Sequence, residues 1–481
     1  MFKEYIQNQI LLLPPDISQL IPPDHLARVI NEVIDIIDIA PITSGYSALG
    51  QNAYHPRMLL KVLFYGYATG VRSSRKIAQK LEEDVVYMWL AGMQKPDFRT
   101  LALFRQQRIN QIKSLFIEIV NLCVEMGITK IGRVYIDGTK IEANASGNRM
   151  VYLKSLERRS RLIEGKIQEI LNEVRAQDEQ EDKKYRGHKG DNLPKLLRKQ
   201  ENRLNKLREA AERIKEQKEL LNQRTNYSTT DNGANLMKMK RGYIYPAYNA
   251  QLAVNNQVIV EYETVNKCND QEQLKPQIER IKKDYDIRPE AVIGDCGYGV
   301  EKNYAYLEKE KINGIIPYPA LEKEKSRAYQ NNPCSRDKFI FDNKTKRLRC
   351  PQGYLMKPDK VERNPKTGRY IKIFRGTKCA ACRLQAQCTA AGYRNYEYRP
   401  WWEKMKKKIK YKLSLDWIKE IYNQRKIEVE TVIGNIKHNL KFNKFLLRGI
   451  KKVNIETGLI CIAHNLIKIF TYRQKWKFCG A

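Results

Sequence analysis

Two aspartates in this sequence each follow a short apolar run that is typical of a buried strand. Asp137 follows residues 134–136, Val-Tyr-Ile, and Asp295 follows residues 291–294, Ala-Val-Ile-Gly. Each is closely followed by glycine, and because Asp-Gly pairs signal turns, either aspartate alone is better explained as part of a turn. Two strand-end carboxylates in one basic chain favour a functional pair, because α/β sheets bind ligands at strand ends.

A third carboxylate is expected from a late helix over residues 422–437, where Glu428 and Glu430 compete. Glu430 lies seven residues before Lys437, which is two helical turns, so the two side chains share a face. Glu428 lies about 200° away from Glu430 around the helix axis. A solvated helix with Lys–Glu pairs explains the charges equally well, but the apolar residues between them indicate that this helix packs on something. The phase therefore favours Glu430.

The composition points to a polyanionic partner. The 481 residues include 88 Lys and Arg against 54 Asp and Glu, a formal net charge of +34. Such an excess concerns partners and not the fold, and nucleic acid is the commonest polyanion. An anionic membrane surface is the main rival, but we find no apolar run of about 18 residues and no signal peptide. We expect a cytoplasmic protein without a membrane segment, associated with the nucleoid when it binds DNA.

The N-terminal residues 1–125 predict a set of short helices. Apolar residues recur at helical spacing over 25–37, Gly70 can end one helix, and Asp97 can cap another. Short helices with tight turns and basic exposed faces suit a helix-turn-helix DNA reader, although a small helical bundle explains the same pattern. The candidate DNA-contacting residues here are Arg72, Arg75, Lys76, Arg105 and Arg108.

The residues between 126 and 320 predict strands interrupted by a long helical hairpin. A strand over 130–136 leads into Asp137, and residues 150–222 carry a heptad-like seam of Leu204, Ala211 and their neighbours, with a bend over 175–194. A β-hairpin over 243–265 turns at Asn255-Asn256. The residues after it are expected to form a helix over 271–285 capped by Asp270 and Gln273, the strand before Asp295, a helix over 301–311 and a strand at Gly314.

Four cysteines crowd the irregular segment 320–400: Cys350, Cys379, Cys382 and Cys388. Ten cysteines in the whole chain are few for a disulfide scaffold, and in a reducing compartment a metal is favoured over a disulfide. Four thiols suffice for a structural Zn²⁺ site, and Cys334 could replace one of them. The alternative is a loop of unliganded cysteines. Nearby basic residues suggest a platform over DNA: Lys346, Arg347, Arg349, Lys357, Arg375, Lys378 and Arg383.

Several blocks resemble the DDE transposases of bacterial insertion sequences, in the branch with a Tyr-Arg-Glu-Lys signature. HPRMLLKVLFYGYATGVRSSRKIA resembles the N-terminal helical domain, DGTKIEANAS the first aspartate block, and DCGY with Asn303 the second. FLLRGIKKV and IAHNL resemble the closing segment. The signature itself is matched by Tyr422, Arg425, Glu430 and Lys437.

The signature departs from the family pattern at two positions. Arg425 lies five residues before Glu430 where the usual gap is four, and Lys426 occupies the nearer position, so either residue could fill the role of the arginine. Ile433 replaces the usual aromatic residue before Gly434.

The resemblance implies an α/β fold: a ribonuclease-H-like mixed sheet with an N-terminal all-α domain, a helical-hairpin insertion and a cysteine-bearing insertion. The expected domains are a DNA-binding domain (1–125), a catalytic core (126–149, 225–320 and 400–470), the hairpin (150–224), the cysteine-bearing insertion (321–399) and a tail (471–481).

The resemblance also implies the chemistry. Asp137, Asp295 and Glu430 would hold two Mg²⁺ or Mn²⁺ ions, which activate an attacking oxygen and stabilise a leaving oxygen. Water would free a 3′-OH at the end of the element, and that 3′-OH would then attack target DNA. Tyr422, the signature arginine and Lys437 would contact the DNA backbone.

The implied partners are double-stranded DNA, as terminal inverted repeats and as target, and a second copy of the chain in a DNA-bound homodimer. The helical hairpin is the candidate dimer interface. The alternatives are a nuclease of the same fold without strand transfer and a non-catalytic DNA-binding protein derived from a transposase.

Overall fold

The computed structural model describes residues 16–44, 46, 53–108, 111–185, 195–221, 224–365 and 367–479. The N-terminal part is helical, as predicted. Asp97 caps its helix by accepting a hydrogen bond from the backbone N–H of Thr100, and Gly70 ends another with a positive φ of 76°. The helices are α1 (Leu26–Ile36), α2 (Ala40–Thr43), α3 (Pro56–Ala68), α4 (Ser74–Glu83), α5 (Val85–Leu90), α6 (Phe98–Leu103) and α7 (Ile112–Glu125).

A mixed six-stranded sheet forms the centre of the molecule. Its strands are β1 (Arg133–Glu142), β4 (Asn235–Lys238), β5 (Ile244–Asn255), β6 (Val258–Val265), β7 (Ala291–Gly294) and β8 (Asn313–Ile315). The order is β4-β5-β1-β7-β8, and β6 also pairs with β5. β1 runs antiparallel to β5 and parallel to β7. The predicted mixed α/β fold, a ribonuclease-H-like sheet with a helical N-terminal region, is confirmed.

Two details of this region differ from the sequence-based expectation. β1 does not end at Ile136 but continues to Glu142, because its second half pairs with β5. Asp137 therefore lies within a strand, and Asp137-Gly138 is not a turn. The β5–β6 turn is formed by Asn256 and Gln257, both with positive φ, one residue later than expected.

The first insertion is the predicted helical hairpin. A short ladder of β2 (Met150–Tyr152) and β3 (Asn226–Ser228) closes its base, and the hairpin itself consists of α8 (Leu153–Tyr185) and α9 (Lys195–Leu221). A small cluster of Leu156, Ile214, Leu221 and Tyr227 is buried between the helices. The predicted seam agrees with the half-buried Leu204 and Ala211, whereas part of the bend, residues 186–194, lies outside the described residues.

The second insertion follows α10 (Leu274–Tyr285) and α11 (Glu301–Lys309) and forms its own antiparallel sheet. The elements are α12 (Leu321–Lys325), α13 (Arg327–Asn331), β9 (Ile340–Phe341), β10 (Leu348–Arg349), β11 (Leu355–Arg363), β12 (Tyr370–Arg375), α14 (Gln385–Cys388) and β13 (Asn395–Tyr398). Its apolar core is separate and consists of Phe339, Leu348, Met356, Phe374 and Tyr396.

The C-terminal part returns to the central sheet through α15 (Pro400–Lys412), α16 (Asp416–Asn423), α17 (Thr431–Gly434) and α18 (Ile450–Cys479). One apolar core joins the N-terminal helices, the sheet and α18, which packs on α3, α7 and β6. The helical segment Ile450–Lys475 is long and apolar enough to cross a membrane, although the sequence led us to expect no such segment. However, 78% of its 18-residue apolar stretch is buried inside the protein. The helix thus belongs to the apolar core.

Candidate active site

Asp137 and Asp295 occupy equivalent positions on two neighbouring parallel strands. Ile136 of β1 is paired with Gly294 of β7, and each aspartate is the next residue along its chain. Adjacent strands lie about 4.8 Å apart, so the two carboxylates start side by side. Asp137 Oδ1 accepts a hydrogen bond from Gly138 N at 2.8 Å, and Asp295 Oδ1 accepts one from Gly297 N at 2.9 Å.

The environment of this pair disfavours negative charge. Burial raises the pKa of Asp137 to about 7, the nearby Arg425 opposes this increase, and the neighbouring Asp295 adds to it. Burial likewise raises the pKa of Asp295, again opposed by Arg425. Two carboxylates that repel each other in a half-buried position gain from a positively charged partner between them.

Arg425 supplies such a charge from the late helix. Its Nη2 donates to Glu430 Oε1 at 2.8 Å, and its Nη1 lies 3.9 Å from Asp137 Oδ2. The Arg425 side chain is 14% exposed, and its Nη1 is buried without a hydrogen-bond partner in the described part of the chain. Lys426, the other candidate for the signature arginine, is exposed to solvent.

A π-helical turn over Lys426–Glu430 explains how a five-residue gap still brings Arg425 onto Glu430. In an α-helix, residues four apart stand about one turn apart, whereas in a π turn the hydrogen bonds run from i to i+5. The extra residue between arginine and glutamate is thus absorbed by the wider turn. A second π turn follows at Asn435–Asn439, so the regular α-helical phase used to choose Glu430 does not strictly apply.

The structure nevertheless separates the two glutamates. Glu430 faces Arg425, while Glu428 accepts a hydrogen bond from Gln257 N in the β5–β6 turn at 2.8 Å. His464 of α18 also fixes the helix, because its ring lies 2.9 Å from both the Asn435 amide and the Gln257 carbonyl. Glu428 and His464 therefore anchor the site helix from behind.

The remaining signature residues lie near the carboxylates. Lys437 Nζ donates to the carbonyl of Lys140 on β1 at 2.9 Å. Burial lowers the pKa of Lys437, Lys240 lowers it further, and Asp137 raises it. Tyr422 is partly buried, and burial raises its pKa, with Arg425 acting against that increase.

Asp270 is an acidic residue at this site that the sequence reasoning assigned to another role. It was expected to cap a helix at residue 271, but α10 begins at Leu274 and Asp270 does not cap it. Its Oδ1 accepts hydrogen bonds from the buried amides of Asn249 at 2.7 Å and Gln251 at 2.5 Å. It lies close enough to Asp137 and Asp295 to raise the pKa of both. Two polar residues at alternate positions of the otherwise apolar part of β5, Asn249 and Gln251, were the available signal.

Glycine at position 138 makes this arrangement possible. A Cβ there would collide with Gln251 Nε2 and Asp270 Oδ1. Gln251 is completely buried and also accepts hydrogen bonds from Gln277 at 3.0 Å and Tyr298 at 2.5 Å. A buried polar network thus holds Asp270 beside β1.

An open cleft of about 840 Å³ runs along Asp137, Arg425, Glu430 and Lys437. Basic side chains make up much of its wall. They are Lys140, Lys238, Lys240, Arg241, Arg425, Lys437 and His438. The cleft therefore combines a small acidic centre with a wide basic border.

The structure places some of the predicted N-terminal DNA-contacting residues inside the protein and others on its surface. Arg105 was expected on an exposed face but is 5% exposed, and its Nη1 donates to the Tyr67 hydroxyl at 3.3 Å and the Arg72 carbonyl at 2.9 Å. Arg72 pairs with the buried Glu456 at 3.2 Å and donates to two carbonyls of residues 441–444. The predicted DNA-contact role of Arg72 and Arg105 is therefore corrected to an internal one, because a buried carboxylate requires their charge.

Arg75 and Lys76 on α4 are exposed, as expected for residues that could contact DNA. The side chain of Arg108 lies outside the described residues.

Cys350, Cys379, Cys382 and Cys388, together with Cys334, line one cavity in the second insertion. All seven basic residues predicted around them are exposed. Within the described ranges, no three His, Cys, Asp or Glu side chains stand close enough together to hold a metal ion as they are placed.

Comparisons with known proteins match two parts of the chain. A family model described as a transposase DDE domain matches residues 349–470, which include Glu430 and four of the clustered cysteines. A second model, described as a transposase domain, matches residues 15–107. No curated protein and no solved structure matches the chain. Transposase models thus match both the N-terminal and the C-terminal part of the chain, which supports an insertion-sequence DDE transposase.

Proposed function

We propose that this transposase binds the ends of its element and performs metal-dependent DNA cleavage and strand transfer with Asp137, Asp295 and Glu430. The observation that carries the proposal is that the two aspartates follow paired residues of adjacent parallel strands, while Asp137 and Glu430 line one basic cleft. A polyanion is drawn to the border of the cleft, while the acidic centre attracts cations.

The donor set fits a hard divalent ion. Carboxylate oxygens are the ligands that Mg²⁺ and Mn²⁺ prefer. Burial, with Asp295 and Asp270 nearby, raises the pKa of Asp137, so a bound cation would stabilise its carboxylate. Asp137, Asp295 and Glu430 would hold the ions, with Asp270 as a fourth carboxylate behind them. Bound ions supply Lewis-acid stabilisation of the leaving oxygen and activate the attacking water or 3′-OH.

Arg425 has two roles in this proposal. Without metal it neutralises the acidic centre through Glu430 and Asp137. Its Nη1 makes no hydrogen bond in the described part of the chain, so it can donate to the phosphate that is attacked. Glu430 must be released by Arg425 before it can bind an ion, and the incoming phosphate provides the alternative partner for the guanidinium.

Lys437 and the lysines of the cleft position the DNA strand. Lys437 lies on the same side of the late helix as Glu430, and burial already weakens its hold on its own proton. A DNA phosphate near Lys437 would favour the protonated, positively charged form of its amine. Such contacts fix the register of the DNA on the protein without reading its sequence.

The two alternatives are tested in one assay with fluorescent DNA that carries the sequences flanking the coding region. Wild-type protein with Mg²⁺ or Mn²⁺ should release a 3′-OH end and join it to a second DNA. Asp137→Asn, Asp295→Asn and Glu430→Gln should each reduce both products at least 100-fold with DNA binding retained. Glu428→Gln is the matched control, since Glu428 faces the β5–β6 turn.

Each outcome separates the hypotheses. Cleavage without joining would favour a nuclease of the same fold. Binding without cleavage, in wild type and variants alike, would favour a non-catalytic DNA-binding protein. Activity of Asp137→Asn equal to wild type would contradict the catalytic assignment.

We further propose that the chain works on DNA as a homodimer, since two element ends must be joined, and that α8 and α9 provide the interface. The base of the hairpin is closed by the β2–β3 ladder, so residues 160–215 can be replaced by a short linker. The shortened protein should cleave single ends but fail to pair two of them. Paired-end complexes formed as well as by wild type would contradict this interface.

A further inference from the structure

The cysteine-bearing insertion brings together five thiols that the proposed DNA chemistry does not use. Cys334, Cys350, Cys379, Cys382 and Cys388 come from sites up to 54 residues apart and line one cavity of about 30 Å³. All five are free cysteines. The cavity leaves room for at least one group of the size of a water molecule or an ion.

The backbone presents two of the cysteines in similar turns. In the turn between β10 and β11, Gly353 N donates to Cys350 O at 2.8 Å. In the second turn, Cys382 N donates to Cys379 O at 3.1 Å, and both cysteines of the C-x₂-C pair line the cavity. Cys388 follows at the end of α14. Paired turns that carry cysteines from opposite sides are the usual framework of a tetrahedral thiolate site.

The charges around the cavity suit a metal bound by four thiolates. A divalent ion with four thiolates has a net charge of −2. Lys378 and Arg394 also line the cavity, and Arg394 Nη1 donates to the Cys388 carbonyl at 2.9 Å. Two basic side chains therefore balance the charge and fix the backbone of one ligand.

The insertion also needs such a link for its stability. Its separate core contains five buried residues for about 80 residues of chain, and most of β11 is exposed. Domains of this size with so little buried apolar surface are commonly stabilised by disulfides or a structural metal. The free thiols leave the metal as the remaining option of the two.

We propose that the insertion binds one structural Zn²⁺ through Cys350, Cys379, Cys382 and Cys388. Cys334 lies beside the site, with its Sγ 4.0 Å from the Leu384 carbonyl. Binding converts four thiols to thiolates and releases their protons, with no change of oxidation state. Because the thiols surround the cavity without yet meeting at ligand distances, they close on the ion by side-chain rotation.

The test is the zinc content of the full-length protein, purified from zinc-supplemented cells under reducing conditions. Wild type should contain about one zinc per chain, measured by mass spectrometry of the metal. Cys350→Ser and Cys379→Ser should each lower the content at least fivefold. Cys334→Ser and Cys268→Ser are the controls and should keep one zinc, as should Asp137→Asn, which shows that the ion is not in the acidic centre.

A second measurement keeps the proposal testable if the serine variants do not fold. Thiol-specific mercurial titration of wild type should release zinc in proportion to modified thiols, and Co²⁺ substitution should give the absorption of tetrahedral cobalt bound to thiolates. A wild-type protein with less than 0.2 zinc per chain, or a Cys379→Ser variant that retains its zinc, would overturn the proposal. None of these measurements uses DNA, so the outcome is independent of the transposase chemistry.

Discussion

Acidification should destabilise this protein through one buried histidine that anchors the site helix. His464 is 2% exposed, and its ring accepts a hydrogen bond from the Asn435 amide while donating to the Gln257 carbonyl, an arrangement that fits the neutral tautomer. Burial lowers the pKa of His464 to about 4; the hydrogen bond to the Gln257 carbonyl opposes this shift and the nearby Lys468 contributes to it. Protonation of the folded protein is therefore disfavoured.

The direction and the size of this change in stability follow from the difference in proton binding between the folded and the unfolded chain. Between pH 6.5 and pH 4 the unfolded chain binds a proton at this histidine and the folded chain does not, so stability is complete above pH 6.5 and falls as the pH decreases. At pH 5 the loss is about 2 kcal/mol, from roughly 1.4 kcal/mol for each pH unit below 6.5.

The assay is urea unfolding of wild type and His464→Gln at pH 7.5 and pH 5. Glutamine keeps polar contacts but cannot be protonated, so the wild type should lose about 2 kcal/mol more than the variant on acidification. Glu428, whose pKa is raised by burial, shifts stability in the opposite direction, but it is present in both proteins and cancels in the comparison. Equal losses in the two proteins, within 0.5 kcal/mol, would refute the reasoning.

Three further predictions concern the site and its support. Asp270→Asn should raise the Mg²⁺ concentration for half-maximal DNA cleavage roughly tenfold, since it removes a negative charge behind the paired aspartates; an unchanged requirement would contradict its placement. Gly138→Ala should push Gln251 and Asp270 aside, lowering stability by about 1–3 kcal/mol in thermal unfolding and cleavage by more than that loss explains. Arg105→Met should reduce the free energy of unfolding by roughly 3 kcal/mol, because it removes a buried charge that is hydrogen-bonded inside the protein. Lys76→Ala should weaken DNA binding without changing the stability. The opposite pattern would support Arg105 as a DNA contact.

Much of the local architecture could be predicted because it depends on short-range pattern. The strands before Asp137 and Asp295, the long hairpin and the capped helix after Asp97 all follow from hydrophobic periodicity and capping. The composition also predicted a polyanionic partner, because the net charge is a sum over residues and does not depend on the fold. Glu430, which helical phase favours over Glu428, lines the same cleft as Asp137, although its helix contains π turns.

Other features depended on contacts between distant parts of the chain. Asp270 looks like a helix cap in sequence, and only the amides of β5, about 20 residues away, hold it in the acidic centre. Arg72 and Arg105 look like exposed basic residues, but Glu456 lies about 350 residues further along and requires their charge inside the protein.

Asp137 and Asp295 show which features depend on the sequence alone and which depend on the tertiary structure. The sequence alone determined that each aspartate follows an apolar strand, because strand propensity and hydrophobicity depend only on the types of the neighbouring residues. Only the tertiary structure decided that Asp137 lies within β1 and opposite Asp295, because the β1–β5 and β1–β7 ladders extend the strand and set its register. The π turn that brings Arg425 onto Glu430 is of the same kind, since packing against β5 and α18 fixes a helix geometry that periodicity does not specify.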